Sequence, residues 1–582
     1  MRRIYEIADK YVDELVALDP SLATALGIPG HEREMTDYSP DGVSAIAALN
    51  RRTVADLVSD SPLPRSEEPV LSDVEGGQGV RDRIARDVML ERLTVRLDLF
   101  DAGEQFRELR IIASPLQGIR SVFDQMPKET EEHWSNIAAR LKLVPKALAG
   151  YRETLSEGLA RGTPASQRQA SEALQQAEIW SRQLPGRQSF FDMLLDQFRS
   201  REPGASNKES DGLKADIAQG VAAAVEGYGE MARWLREEYI SKASEREAAG
   251  AERYTLMSRV FLGAEVDARE TYEWGWQELY RLEREMEATA EKIAPGAGID
   301  GAKALLESDP ARSLEGVEAF RAWLQEVHDE AVESLDGTHF DIDPRIRRME
   351  VMIPPPGGAL APYYTGPSED FTRPGRTWWP LGTRTRFPKW MEVSTAYHEG
   401  VPGHHLQVGS ARALGDKLSR FQRLLTFVSG YGEGWALYAE RLMGELGYLE
   451  NPDYYLGMLS AQALPAVRVI VDIGMHLEYK IPASERFHPG EVWNHDLALA
   501  FAIERSRWLA EMLASEIVRY LGWPAQAISY KVGERKWLET RESAKRQLGA
   551  KFDLKRFHTE VLDLGPMGLA QLEREVGATA NS

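Results

Sequence analysis

Three imidazoles and a carboxylate fall within the run His398-Glu399-Gly400-Val401-Pro402-Gly403-His404-His405, a density that points to metal chemistry. Neutral imidazole is the commonest protein ligand for zinc. A carboxylate beside such a ligand is where a hydrolase keeps the base that activates water. The nearest short pattern is H-E-x-x-H, in which two histidines four apart share a helix face and the glutamate is the general base. Here the spacing is wider: His404 is six and His405 seven positions after His398. An unbroken helix would hold such pairs about 9 to 10.5 Å apart along its axis, whereas zinc–nitrogen bonds are only about 2.0–2.1 Å long. Pro402 lacks the N–H owed to the carbonyl of residue 398, and Gly403 takes backbone angles that other residues avoid. A kink or bulge inside the motif is therefore expected, bringing His398 to the same ion as His404, with His405 as the alternative second ligand. The chain has only 11 histidines in 582 residues, so composition does not account for the cluster.

A catalytic zinc ion takes three protein ligands and keeps one position open. Glu433, in Tyr431-Gly432-Glu433-Gly434-Trp435, is the candidate third ligand, at the start of a helical run. It lies about thirty residues beyond the histidines, enough for the chain to turn and lay a second helix on the first. Glu440, seven residues on and on roughly the same face, is assigned to support a ligand from behind. Asp472 and His476 are four apart, so they share a helix face within hydrogen-bonding reach, and they read as cleft-lining or ligand-supporting. Gln526 and Tyr530 repeat that spacing after Gly522-Trp523-Pro524. Arg468, Arg505 and Lys531 are candidates to hold a substrate carboxylate.

The elements that must position these residues are mostly helices. An amphipathic helix is expected to about Val16. Asp19-Pro20 reads as a cap followed by proline at the first helical position. Further helices are expected from Asp41 to Asp60, from Val80 through Leu99, from Ser121 to Gln183 and from Leu213 to Lys242. Surface connections are expected at Ser61 to Gly79 and Ser200 to Gly212. The clearest helix starts near Asp267 and runs to Pro295-Gly296, with Tyr272, Trp276, Leu279, Leu282 and Met286 as its core stripe. Near Arg347 the texture changes. Met349, Val351 and Ile353 alternate with polar or exposed positions as in a strand, and Pro354 to Gly358 ends it. The stretch through Trp390, rich in Pro, Gly and aromatics, reads as an edge strand and loops on which an extended peptide could add main-chain hydrogen bonds.

Composition narrows the function classes. A formal charge of -21 argues against nucleic acid or an anionic membrane surface as partner, since both call for basic protein surface. With no cysteine, there is no disulfide framework and no thiolate, so any metal must sit on N and O ligands. No apolar run of 18 residues suggests a membrane span. The first ten residues carry charges where a signal peptide has its apolar run, and a cytoplasmic location is expected.

In order along the chain, HEGVPGHHLQ, YGEGWALYAERL, VRVIVDIGMH, GWPAQAISYKVG and LGAKFDLKRFHTEVLDLGPMGL resemble the bacterial "domain of unknown function 885" family. The resemblance is strong from about Tyr363 to Val576 and extends, weakly marked, over the remainder. It implies a nearly all-helical fold similar to zinc peptidases of the gluzincin type, such as the thimet oligopeptidase, angiotensin-converting enzyme and Taq carboxypeptidase groups. In similar peptidases a tyrosine or histidine donor stabilises the oxyanion, a role that would fall to Tyr530 or His558.

The expected fold is mainly α, a large multi-helix body with a central cleft and a small β element near residues 345–365. Residues 1–339 are expected as a helical scaffold half and 340–582 as the catalytic half of one continuous domain. The expected function is hydrolysis of peptide or amide bonds of small peptides by a zinc-activated water, with Glu399 as base. The alternatives are hydrolase or lyase chemistry on a non-peptide amide, or a catalytically silent metal- or peptide-binding protein. The oligomeric state is left open, with a homodimer one option.

Overall fold

The computed structural model describes residues 3–59, 78–200, 208–354 and 361–577. Helices make up 70% of it, with a few short strands. The expected connections at 61–79 and 200–212 and the Pro-Gly stop at 354–358 lie mostly outside the described residues. The chain divides into two compact units, one of Met1–Tyr5, Ser61–Arg92 and Ala248–Ser582, the other of Glu6–Asp60 and Leu93–Glu247. Residues 248–339, read from the sequence as scaffold, thus belong to the unit that carries the motifs.

The second unit is helical throughout. Its long helix Lys208–Trp234 packs on Glu131–Leu141, Val144–Ala160 and Gln167–Trp180. Trp134, Tyr151, Tyr228 and Tyr239 are buried in its core. Asp19 caps the helix that Pro20 opens, its side chain accepting from the Leu22 amide.

The motif-bearing unit is built around helix α1 (Ala268–Ile293), begun by Asp267, whose carboxylate accepts from the amides of Arg269 and Glu270. Its core stripe of Tyr272, Trp276, Leu279, Leu282 and Met286 is buried. Next come strand β1 (Ser313–Glu315) and helix α2 (Val317–Leu335). The β region is larger than expected, with β2 (Met349–Met352), β3 (Tyr363–Thr365), β4 (Gly375–Trp378) and β5 (Arg386–Pro388). β2 and β4 pair in parallel and β3 pairs antiparallel to β4, so β3 lies at an edge. β1 pairs with β5. The alternation holds: Met349 and Val351 are buried while Glu350 and Met352 are half-exposed.

Helices α3 (Glu392–Glu399), α4 (His404–Ala413), α5 (Ser429–Glu445), α6 (Pro452–His476), α7 (Ala510–Gly522), α8 (Ser529–Leu548) and α9 (Leu554–Asp563) complete the part that matters for the site. Helix α6 is long and apolar enough to cross a membrane by length and composition, yet 89% of that apolar window is buried inside the protein. It packs on α1 where Gly275 meets Val469 and Ile470, which leave no room for a side chain. Helices α5 and α8 cross at glycines, since a Cβ on Gly434 would lie 2.4 Å from Gly533 Cα. That close approach fixes the distance between the two helix backbones, and with it the position of Glu433.

Candidate metal centre

Helix α3 reaches the site on an apolar footing. Ala396 packs into the cluster of Phe320, Leu324, Val351, Trp379, Leu381 and Phe387, and two residues later His398 projects from the opposite side. The helix ends at Glu399, the peptide between Val401 and Pro402 is cis, and a new helix begins at His404. The expected kink inside one helix is instead a break between two. Its glycines are required by close approach. A Cβ on Gly403 would lie 1.9 Å from the His398 carbonyl oxygen, and one on Gly400 would lie 2.5 Å from Nδ1 of buried His328. Across the break, the Gly403 amide donates to the Tyr397 carbonyl at 3.0 Å and the His405 amide to the Gly400 carbonyl at 3.0 Å.

The break brings His398 and His404 together, their rings 4.9 Å apart and perpendicular. Glu433 on α5 completes the group. Ligand atoms of His398, His404 and Glu433 all lie within 4.8 Å of one another. Glu433 Oε2 is 3.5 Å from His398 Nε2 and 3.3 Å from His404 Nε2. Zinc bonds of about 2.0–2.2 Å in a tetrahedron put ligand atoms about 3.3–3.5 Å apart, so this donor set of two imidazole nitrogens and one carboxylate oxygen fits zinc.

Glu440 orients His398. Its Oε1 accepts from His398 Nδ1 at 2.7 Å and its Oε2 from the Ser394 hydroxyl at 2.7 Å. With Nδ1–H committed to Glu440, Nε2 is the nitrogen left for an ion. Burial opposes charge on His398, but Glu433 and Glu440 against its two nitrogens outweigh it and raise its pKa well above the ordinary value. Burial likewise opposes ionisation of Glu433, and His398 and His404 overcome it, holding that carboxyl well below the usual range.

Glu399 is 6% exposed, and its Oε2 has no hydrogen-bond partner among the described residues. Burial raises its pKa against the pull of His398 and His404. A buried carboxylate oxygen without a partner is costly. It stands next in sequence to His398 of the cluster.

His405 faces elsewhere. It is fully buried, its Nε2 donates to the Ile346 carbonyl at 2.6 Å, and its Nδ1 accepts from the Tyr364 hydroxyl at 2.9 Å. Burial lowers its pKa to about 4. The ring joins β3 to the segment before β2, and the second imidazole of the cluster is His404.

The sequence matches, over residues 20–576, the model of a family described as "Bacterial protein of unknown function (DUF885)". The chain belongs to this family. Among solved structures, this DUF885 chain is similar to a "putative lipoprotein" from Colwellia psychrerythraea, with TM-score 0.82, 23% identity, and 99% of this chain and 98% of the other covered. It is also similar to a second protein of that description, of unknown function, from Shewanella oneidensis, with TM-score 0.71, 17% identity and 99% of both chains covered. Identities this low establish the shared fold and no more. No curated protein matches the sequence.

The remaining candidates of the DUF885 chain separate into two groups. Tyr530 is on the cluster's side of the fold: Ser529 meets Ser429 at 2.7 Å across the α5–α8 crossing, and burial raises the Tyr530 pKa with the Glu433 carboxylate adding to the rise. Gln526 accepts from Arg519 and donates to Ser429 at 3.5 Å, bracing the same crossing. His558, the other expected oxyanion donor, is in a different place. Its Nε2 bonds the Tyr438 hydroxyl at 2.7 Å, and its ring stacks on Phe340 and meets Trp435 edge-on. Tyr438 is five residues past Glu433, about 140° around the helix, so His558 packs on a different face of α5. Burial lowers its pKa to about 3.

Asp472 and His476 are fully buried rather than cleft-lining, and at 3.7 Å they do not share a hydrogen bond. Asp472 accepts from the Tyr254 hydroxyl at 2.7 Å and the Ala525 amide at 3.0 Å, while His476 bonds the Tyr520 carbonyl at 3.0 Å. They tie α6 to neighbouring segments. Lys531 and Arg505 are taken up by carboxylates, Lys531 with Glu278 at 3.0 Å and with Glu534, Arg505 with Glu283 at 2.7 Å. Sequence reading missed Ser394, which its four-residue spacing before His398 could have flagged. It also missed Tyr364, whose contact with His405 spans 41 positions and left no local signal.

Proposed function

We propose that this protein is a zinc-dependent hydrolase that cleaves peptide or amide bonds of small peptides. The reading rests on one juxtaposition, a donor set suited to zinc beside a buried carboxylate, Glu399, with an unpartnered oxygen. A structural zinc site is closed by four protein ligands and has no use for an adjacent free carboxylate, whereas hydrolysis requires one. His398, His404 and Glu433 would hold the ion. Zinc, when bound there, supplies Lewis acidity toward a carbonyl and acidifies water.

Glu399 takes a proton from the attacking water and returns it to the departing amine, so the C–N bond breaks, the hydroxyl ends on the acyl carbon and the proton on nitrogen. Tyr530 donates to the oxygen on which negative charge gathers. Glu440 and Ser394 hold His398 in the orientation that leaves Nε2 free. The arrangement is of the same kind as the H-E-x-x-H plus glutamate pattern of gluzincin-type peptidases, with the histidine spacing lengthened by the break at 400–403.

Incubation of zinc-loaded protein with a mixture of short peptides, followed by mass spectrometry, tests the reading. Cleavage at a defined bond is expected, abolished by a chelator and restored by zinc. Failure of the zinc-loaded protein to cleave any peptide would overturn it.

For location, the description of both similar solved structures as a "putative lipoprotein" supports an envelope setting rather than the cytoplasm expected from the sequence. Cell fractionation is expected to recover the protein with envelope markers, and recovery with cytosolic markers would reverse that assignment.

A further inference from the structure

Beside the cluster lies a concentration of positive charge that the hydrolytic step does not use. Two guanidiniums share one carboxylate, Glu516 of α7. Arg519 reaches it through Nε at 3.0 Å and Nη2 at 2.7 Å, and Arg468 of α6 through Nη2 at 2.8 Å. Arg468 Nε donates to the Tyr520 hydroxyl at 2.6 Å, which in turn donates to Glu516 at 2.8 Å. The remaining guanidinium nitrogen of Arg519, Nη1, donates to Gln526. By formal charge the trio of Arg468, Arg519 and Glu516 is positive, in a chain whose formal charge is -21.

The Arg468 guanidinium lies over the Tyr530 ring, 4.6 Å from its centroid, and its Nη1 has no hydrogen-bond partner among the described residues. Tyr530 is the next residue after Ser529, which touches Ser429, and Glu433 is one helical turn beyond Ser429. Tyr530 thus has Arg468 over its ring and lies at the start of the helix that crosses the one carrying Glu433. A purely structural arginine pair tying α6 to α7 would be expected to carry enough carboxylate to neutralise it, because uncompensated buried charge is costly. A planar guanidinium with one free amino group is suited to a carboxylate.

We propose that Arg468, with Tyr530 beside it, receives a free carboxylate of the substrate. The preferred substrates are then short peptides or N-acyl amino acids cut near a carboxyl end, rather than internal bonds of long chains. The inference rests on the hydrolase reading for what is cut, and on the arginine geometry for what is held.

The test reads binding without turnover, in the zinc-loaded full-length Glu399→Gln protein, by calorimetry with N-acetyl-trialanine and its C-terminal amide. The acid is expected to bind about ten- to a hundredfold more tightly than the amide, the range for a hydrogen bond to a charged group. The preference should vanish when Arg468→Gln is added and persist in part with Arg468→Lys. Equal affinities, no binding of either probe, or a preference that survives Arg468→Gln would each overturn the proposal, the last by placing the carboxylate on the metal. The comparison of acid with amide in the Glu399→Gln protein stands even if Arg468→Gln fails to fold. Acid preference in a protein that never cleaves peptide would uphold the anchor and drop the hydrolase. Cleavage without acid preference would do the reverse.

Discussion

Wild-type protein purified without chelator is expected to carry about one equivalent of zinc, and His398→Ala, His404→Ala and Glu433→Ala to retain less than about a tenth of that, since an ion left with two protein ligands is no longer held. Elemental mass spectrometry reads the result directly. The informative control is His405→Ala, at the position next to His404 in sequence, whose ring bonds Ile346 and Tyr364. It should keep its zinc while losing about 1–3 kcal/mol of stability, because a buried carbonyl and a buried hydroxyl lose their partner. Glu440→Gln belongs between these extremes. It weakens the grip on His398 Nδ1, and a loss of about ten- to a hundredfold in zinc affinity is expected for such a supporting residue. Zinc retained at full level in all three ligand variants would show that the metal sits elsewhere. No zinc in the wild type after reconstitution would remove the basis of the hydrolase reading.

Glu399→Gln is expected to keep its zinc and to lose about 10²–10⁴-fold in kcat/KM, the usual contribution of general acid–base catalysis, or about 3–5 kcal/mol of barrier. The same substitution should leave thermal stability unchanged or raise it. The native carboxylate is buried with one oxygen unpartnered, and a neutral amide of the same shape relieves that cost. Opposite signs for activity and stability separate a reactive group from a structural one, since a structural carboxylate would destabilise on removal. Full activity in Glu399→Gln would eliminate Glu399 as base. The assay is the peptide cleavage described above, with metal content and melting temperature measured on the same preparation.

Much of the architecture was legible in the sequence because helices are specified locally. The stripe Tyr272, Trp276, Leu279, Leu282 and Met286 announces α1 by its period, Asp267 and Asp19 announce helix starts by their capping chemistry, and the alternation at Met349 and Val351 announces β2. The cluster was legible for a related reason. Zinc selects a narrow set of side chains, so His398, Glu399 and a glutamate on a following helix stand out by type, and the interval between Glu433 and Glu440 places both on one face. Membership of the DUF885 family was legible from the same motifs.

Only tertiary structure decided which imidazole joins Glu433. His404 and His405 are adjacent and chemically identical, and the choice depends on how the chain leaves α3 at Gly400 and re-enters a helix at His404. It also depends on Ile346 and Tyr364 being there to bond His405. The same holds for the pair of expected oxyanion donors. Tyr530 lies on a helix that meets the one carrying Glu433 because Gly434 and Gly533 let the two touch, while His558 is drawn among Phe340, Trp435 and Tyr438. Asp472 and His476, spaced to bond one another, are claimed by Tyr254, Ala525 and Tyr520 instead. Sequence spacing states which side chains share a helix face. Which neighbour satisfies a buried polar group is settled by contacts between residues 40 to more than 200 positions apart, and these exist only once the helices have packed.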